Sequence, residues 1–231
     1  MTNGTEKERL LKNVESSLLP YTLSELDREI ANNITKAMKA MDRRWFVDNQ
    51  SQAYIDTALP LAAGQTISQP STVARMLFLA RPLQGDRVLD VGAGSGWQAS
   101  LLAHMTYPGT VSSIDINDEL IDNAKNNLKT ARRNLDKDSA LMLDTINVNR
   151  LNFFELEHPQ EFDRIIITAG IQDEDKNSVI EKAKELLAED GILICPYQLG
   201  PLLIVTKIDG AITEEYTIEE FAFVPLIRPS P

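Results

Sequence analysis

The stretch RVLDVGAGSGWQAS, residues 87–100, decides how this chain is read. Its first five residues are mostly β-branched or apolar around a single Asp90, the composition of a buried strand. That strand runs without a spacer into glycines at 92, 94 and 96 and then into a helix-forming segment. Glycine reaches backbone conformations closed to other residues and lets the main chain approach a ligand closely. In open α/β sheets, ligands sit beyond the carboxyl ends of the strands, so this turn is the expected binding position.

Outward from it, strands and helices alternate. The pattern predicts a helix over 71–81, a strand over 87–92, a helix over 97–105, a strand over 110–116 and a helix over 118–133. Strands over about 144–149 and 163–170, a helix over 175–188 and a strand over 191–197 follow. Such alternation predicts an α/β fold: a doubly wound, mostly parallel sheet with helices on both faces. The tail differs, because LLIVTKIDG, AITEEYTI and FAFVPLI read as two or three strands with no helix between them, which predicts an antiparallel edge. Upstream, apolar residues at 10, 11, 14 and 18, then at 23, 26, 30, 34, 38 and 41, recur at helical spacing. Pro20 predicts a break into two helices, the second capped by Thr22 or Ser24. The expected organisation is a helical extension over 1–46 and the main domain over 47–231, together one compact unit. Residues 51–70 contain Pro60, Gly64 and Pro70 and hold no period, so they predict a loop; loops that long in a compact domain are usually functional.

The 231 residues, 43% hydrophobic and 25% charged, suit one ordinary globular domain. A net charge of −11 argues against a nucleic-acid partner, since such binding depends on cations that neutralise phosphates. The basic cluster at 125–133 is expected to be a solvated helix face. No apolar run is long enough to span a bilayer and the first residues lack a signal-peptide core, so no membrane partner is expected and the location is expected to be cytoplasmic. Cys195, the single cysteine, lies in the apolar run GILICPY and reads as a buried thiol. With two histidines, His104 and His158, and no cysteine cluster, no metal site is expected.

The glycine turn departs from the dinucleotide fingerprint G-x-G-x-x-G/A: Trp97 stands at its last position and the third glycine comes one residue early. Asp90, two residues before the first glycine, would repel a pyrophosphate but suits the ammonium of a methionine moiety, directly or through water. Asp115 closes the next strand, 21 residues beyond Gly94, where a carboxylate accepts both ribose hydroxyls. S-adenosylmethionine therefore fits better than NAD, with Asp90, Gly92, Gly94, Gly96 and Asp115 as its binding residues. The alternative for Asp115 is a cap on the following helix, a task for which Asn117 and Asp118 are better placed.

With these residues in view, the chain resembles the protein-L-isoaspartate O-methyltransferase family, which repairs isomerised aspartyl residues in other proteins. MDRRWFV at 41–47 is similar to the family's V-x-R-x-x-F-V segment, and GQTISQP at 64–70 is similar to its G-Q-T-I-S-x-P loop. AYID, LP, FDRIIITAG, GILICPYQLG and FAFVPL follow the family order, so the likeness covers about residues 30–227. The resemblance implies that Ser68 is the catalytic serine and that Gln65, Thr66 and Ser68 line a groove shared by cofactor and substrate. It also implies carboxyl methylation of isoaspartyl proteins or peptides. Ser68 has a second reading, as a helix N-cap, which Ser71 would fill equally well.

Three departures stand out. No acid aligns with the family's G-D-G element, since residues 146–151 read INVNRL, although Asn149 or Asn152 could supply a hydrogen bond. TAGIQ at 168–172 replaces an alanine- and proline-rich turn, and the connection over 132–143 is longer than usual. Two other readings stay open on these grounds: the same cofactor with a different acceptor, or a catalytically silent binding module.

Overall fold

A computed structural model describes residues 3–157 and 161–228. The chain opens with helices α1 (Asn3–Leu18) and α2 (Glu25–Ala40), then a small ribbon of β1 (Leu59–Pro60) and β2 (Thr66–Ile67). The alternating region follows as α3 (Pro70–Ala80), β3 (Arg87–Val91), α4 (Trp97–Thr106), β4 (Thr110–Asp115), α5 (Asp118–Asn134) and α6 (Lys137–Met142). It continues with β5 (Ile146–Arg150), β6 (Phe162–Ile167), α7 (Lys176–Leu186) and β7 (Leu187–Pro196). The tail holds β8 (Leu199–Gly200), β9 (Leu202–Ile208), β10 (Ala211–Tyr216) and β11 (Phe221–Ala222).

The main sheet has the order β10-β9-β7-β6-β3-β4-β5. Strands β3 to β7 pair in parallel, and β9 and β10 add the antiparallel edge. The strand order turns back between β3 and β6, so the carboxyl ends of β3, β4 and β6 frame the crevice where such sheets bind ligands. Successive residues of β3 feed opposite faces. Val88 joins a core with α1, α2, α3 and α4, whereas Leu89 joins Ile165, Val179 and Leu193 on the other side.

Helices α1 and α2 therefore share a core with the sheet rather than standing apart from it. Val14, Ile34 and Leu101 are each 0% exposed, and burying such a side chain is worth about 1.5–3 kcal/mol. Ser24, not Thr22, caps α2: its hydroxyl accepts from the Asp27 N–H while Asp27 accepts from the Ser24 N–H.

The observed elements depart from the predicted ones in two instructive places. The helix predicted over 175–188 stops at Leu186, because β7 begins at Leu187 and bulges before resuming register at Ile192. Asp190 takes φ +59° in that bulge, and Glu189 there accepts the N–H groups of Asp209 and Gly210 in the β9–β10 turn. FAFVPLI does not extend the sheet. Only Phe221–Ala222 forms a strand, paired with Leu199–Gly200, and Pro225 has no N–H to continue a ladder. The segment beyond instead clasps Gly170, through Gly170 N–H to the Val224 carbonyl (2.7 Å) and Leu226 N–H to the Gly170 carbonyl (2.8 Å). The long connection over 132–143 contains α6, capped by Asp136, which accepts from the N–H groups of Asp138 and Ser139.

Candidate active site

The glycines at 92, 94 and 96 all have positive φ, at +98°, +49° and +82°. A Cβ on Gly92 would lie 2.2 Å from Thr168 Oγ1, and one on Gly96 would lie 3.2 Å from the Ala124 carbonyl oxygen of α5. A Cβ on Gly94 would meet only Leu61 (3.6 Å) and the Gly92 carbonyl oxygen (3.8 Å) at ordinary contact distances, so the position favours glycine for its backbone angle and leaves the cavity clear. The N–H groups of Gly92 and Ala93 both donate to the Ile114 carbonyl, at 2.8 and 3.0 Å, which ties this loop to the end of β4.

The two acids of the sequence reading part company. Asp115 stands half-buried in the wall of a cleft, where it accepts from Gly94 N–H (3.2 Å) and Asn117 N–H (3.1 Å). It does not cap α5; Asn117 does, accepting from Glu119 N–H at 2.9 Å. Asp90 lines neither this cleft nor the cavity beside it and is wholly buried behind the loop. One of its carboxylate oxygens accepts from Gln98 Nε2 (2.8 Å) and the other from Ser113 Oγ (2.7 Å). Burial pushes its pKa up to about 6; the two hydrogen bonds oppose that shift and the Asp115 charge adds to it.

The cleft, about 830 Å³ to its mouth, is floored by Val91, Gly92 and Gly94 and flanked by Asp115. Ile116, Leu120, Leu151 and Phe153 give it an apolar wall, and Gln65 and Thr66 reach it from the loop. Asn152 lines it and Asn149 does not, so an amide stands where the resemblance led one to expect an acid. Asn152 Oδ1 accepts from Phe154 N–H at 3.0 Å. These residues fit an adenosyl group: Gly92 and Gly94 line its path while Gly96 packs against α5 outside the cleft, a carboxylate faces the position of a ribose, and apolar side chains suit a flat ring.

A second cavity of about 800 Å³ adjoins the first. Thr57, Ser68, Gln69 and Thr72 form one side of it, and residues 220–224 form the other. Thr66, Thr168 and Val224 line both cavities, so cleft and groove meet at these three residues. Ser68 is not the cap of α3, since the Ser71 N–H donates to Asp56 Oδ1 (2.9 Å) and Gln69 occupies the N-cap position. The serine is left half-buried on the groove wall.

Arg43 explains how a stretch with so little regular structure keeps its shape. Its guanidinium, in a residue only 2% exposed, donates to the carbonyls of Ala53 (3.1 Å), Ile55 (3.2 Å), Thr57 (2.9 Å) and Ser68 (3.2 Å). It also lies 5.4 Å from the centre of the Trp97 ring, and burial lowers its pKa to about 10, which leaves it charged at neutral pH. Sequence reasoning placed Arg43 inside a motif without giving it a task. The signal was present in part: loop carbonyls need donors, and two arginines, Arg43 and Arg44, stand among Met41, Trp45 and Phe46. Thr168 was also missed as a site residue. Its hydroxyl lies 3.0 Å from the Val91 carbonyl and 3.1 Å from that of Gly92, where it can donate to either.

Other chemistry is sparse. Among the described residues no group of three His, Cys, Asp or Glu is placed to hold a metal ion, and His158 lies outside those residues. Cys195 is fully buried, and burial pushes its thiol pKa well up, which makes it inert.

Comparison with known proteins agrees with this geometry. The family model described as Protein-L-isoaspartate(D-aspartate) O-methyltransferase (PCMT) matches residues 22–230. A Protein-L-isoaspartate O-methyltransferase of Methanopyrus kandleri is 34% identical over 227 residues, which cover 96% of this chain and 91% of that one. The protein of the same name from Aeropyrum pernix is 35% identical, over 85% of this chain and 73% of its own. A provisionally assigned member from Plasmodium falciparum, solved in complex with S-adenosyl-L-homocysteine, superposes with a TM-score of 0.73 at 25% identity, covering 94% of this chain and 97% of that one.

Proposed function

The chain belongs to the protein-L-isoaspartate(D-aspartate) O-methyltransferase family, and we propose that its two joined cavities divide the work of that reaction between cofactor and acceptor. It is an S-adenosylmethionine-dependent enzyme that methylates the free carboxyl of isoaspartyl residues in damaged proteins. The observation that carries the assignment of sites is the meeting of cleft and groove at Thr66, Thr168 and Val224, with Ser68 on the groove side.

Residues 92–96 and Asp115 would hold the cofactor, Asp115 through the ribose hydroxyls, with Leu151, Asn152 and Phe153 along the adenine. When bound, S-adenosylmethionine supplies a methyl group on a sulfonium, whose carbon–sulfur bond breaks as the acceptor oxygen takes the methyl. A carboxylate with an ordinary pKa near 4 is already ionised at pH 7, so the chain needs no general base. Its contribution is orientation: Thr66 where the two cavities join and Ser68 on the groove wall would offer hydroxyls to the acceptor, and the tail over 220–224 would cover the reacting atoms from water. Asp90 would act one step back, tying α4 to β4 beneath the loop through Gln98 and Ser113.

We place the reaction in the cytoplasm, a reading supported by a lone buried cysteine and no need of a disulfide. No nucleic-acid partner is proposed, in keeping with the net charge of −11. No helix among the described residues is long and apolar enough to cross a membrane.

The test uses two peptides that differ only in an isoaspartyl or an aspartyl linkage, with labelled S-adenosylmethionine as donor. The isoaspartyl peptide should be preferred by about a hundredfold or more in kcat/KM, because misplacing a reacting atom by about 1 Å costs that much. Equal rates would leave a methyltransferase with a different acceptor.

A further inference from the structure

The acceptor groove has a lopsided charge. Its wall consists of Thr57, Ala58, Thr66, Ser68, Gln69, Thr72, Thr168 and residues 220–224, and among the described residues Glu220 is the single ionisable side chain in it. Its neighbour Glu219 is already engaged, accepting from Arg75 Nε at 2.9 Å and from the Tyr21 hydroxyl. Arg43, the other nearby cation, is buried and points its donors at four loop carbonyls. No ion pair within the described residues offsets Glu220, which is exposed at the rim.

We propose that Glu220 selects isoaspartyl substrates that carry a lysine or arginine close to the damaged residue. The proposal rests on the function assigned above and adds the charge of the preferred sequence. An extended peptide advances about 3.3 Å per residue, so side chains within two positions of the acceptor fall inside the roughly 8 Å over which physiological salt leaves charges visible. The acceptor brings a negative charge of its own to a chain of net charge −11, and a basic flanking residue offsets both. An acidic flank adds a second anion beside Glu220.

The test measures KM for three isoaspartyl peptides that are identical except for Lys, Gln or Glu beside the isoaspartyl residue, on either flank. Wild type, Glu220→Gln, Glu220→Lys and a control, Glu15→Gln on the exposed face of α1, are compared at low and high salt. At low salt KM should rise from Lys to Gln to Glu by about fivefold in all, in the range of exposed ion pairs, with kcat nearly constant. Glu220→Gln should remove most of that spread, Glu220→Lys should reverse it, and Glu15→Gln should keep it. High salt should flatten it. Equal KM values in wild type, or a spread that Glu220→Gln and Glu15→Gln reduce alike, overturn the proposal; the second result would assign selection to the overall charge. Failure to methylate any of the three peptides, with S-adenosylhomocysteine still bound, would overturn the assigned function and this inference with it.

Discussion

The cofactor cleft and the acceptor groove share three residues but are held in place by different forces. The polar heart of the cleft comes from residues 90–117, one strand-helix-strand unit whose backbone is locked by the β3–β4 ladder and by the bonds to the Ile114 carbonyl. The groove joins residues 57–72 to residues 220–224, and no long ladder connects them. Side chains do that work: Arg43 gathers the loop carbonyls, and Glu219 on the tail side accepts from Arg75 of α3 and from Tyr21. Backbone geometry thus sets the half assigned to the cofactor, and a few long-range side-chain bonds set the half assigned to the acceptor. Substitutions in the two halves should therefore fail in different ways.

The largest effect is expected at Arg43. Arg43→Met keeps an apolar stem but leaves the carbonyls of Ala53, Ile55, Thr57 and Ser68 without their donor, and each buried polar group left unpaired costs about 1–3 kcal/mol. Urea unfolding should show a loss of about 3 kcal/mol or more, while the folded variant binds S-adenosylhomocysteine within about threefold of wild type. A loss of cofactor affinity at unchanged stability would break the division between the halves.

Asp90 tests the other half. Its folded-state pKa of about 6 lies above the ordinary carboxyl value, so the native protein holds this proton more tightly than the unfolded chain. Its contribution to stability is therefore full below about pH 4 and is lost as pH rises through about 6, a change of about 3 kcal/mol at 1.4 kcal/mol per pKa unit. Asp90→Asn should remove this dependence, and the new amide can donate to Gln98 Oε1, a buried acceptor with no partner among the described residues. A wild-type minus variant difference that stays flat from pH 4 to 7 would show that Asp90 is more open to water than its burial implies.

A smaller effect is expected at Glu219. Glu219→Gln weakens the acceptance from Arg75 and Tyr21 and should lower stability by about 1–2 kcal/mol, with a rise in acceptor KM and no change in cofactor affinity. An unaltered acceptor KM would mean that the tail keeps its place through Gly170 alone.

The same division governs what was legible in the sequence. Strands buried on both faces announce themselves as apolar runs, and the glycines at 92, 94 and 96 mark a backbone that no other residue fits, so the parallel sheet and the cleft could be read directly. The caps were legible as pairs of candidates, Thr22 or Ser24 and Asn117 or Asp118, because capping is a local bond between near neighbours, and the structure selects Ser24 and Asn117. The groove was legible only through its likeness to a family. The partners of Arg43 are carbonyls, which carry no residue code, and the ribbon of β1 and β2 is too short to show a period. The inward turn of Asp90 has a related cause: a polar residue in an apolar strand reads equally well as a ligand group or as a buried anchor, and its partners Gln98 and Ser113 come from other elements. Pro225 marks in the sequence where the last apolar run leaves the sheet, but the hydrophobicity of FAFVPLI alone predicts a strand.

The central claim, one site with a cofactor half and an acceptor half, is tested most directly by titrating S-adenosylhomocysteine calorimetrically into Asp115→Ala and Ser68→Ala beside wild type. Losing hydrogen bonds to a charged group costs about 1.5–3 kcal/mol, so Asp115→Ala should bind roughly 10- to 150-fold more weakly. Ser68→Ala should bind within about twofold of wild type and lose its rate only when the isoaspartyl peptide is added. Equal losses of affinity in both variants, or none in Asp115→Ala, would contradict the account.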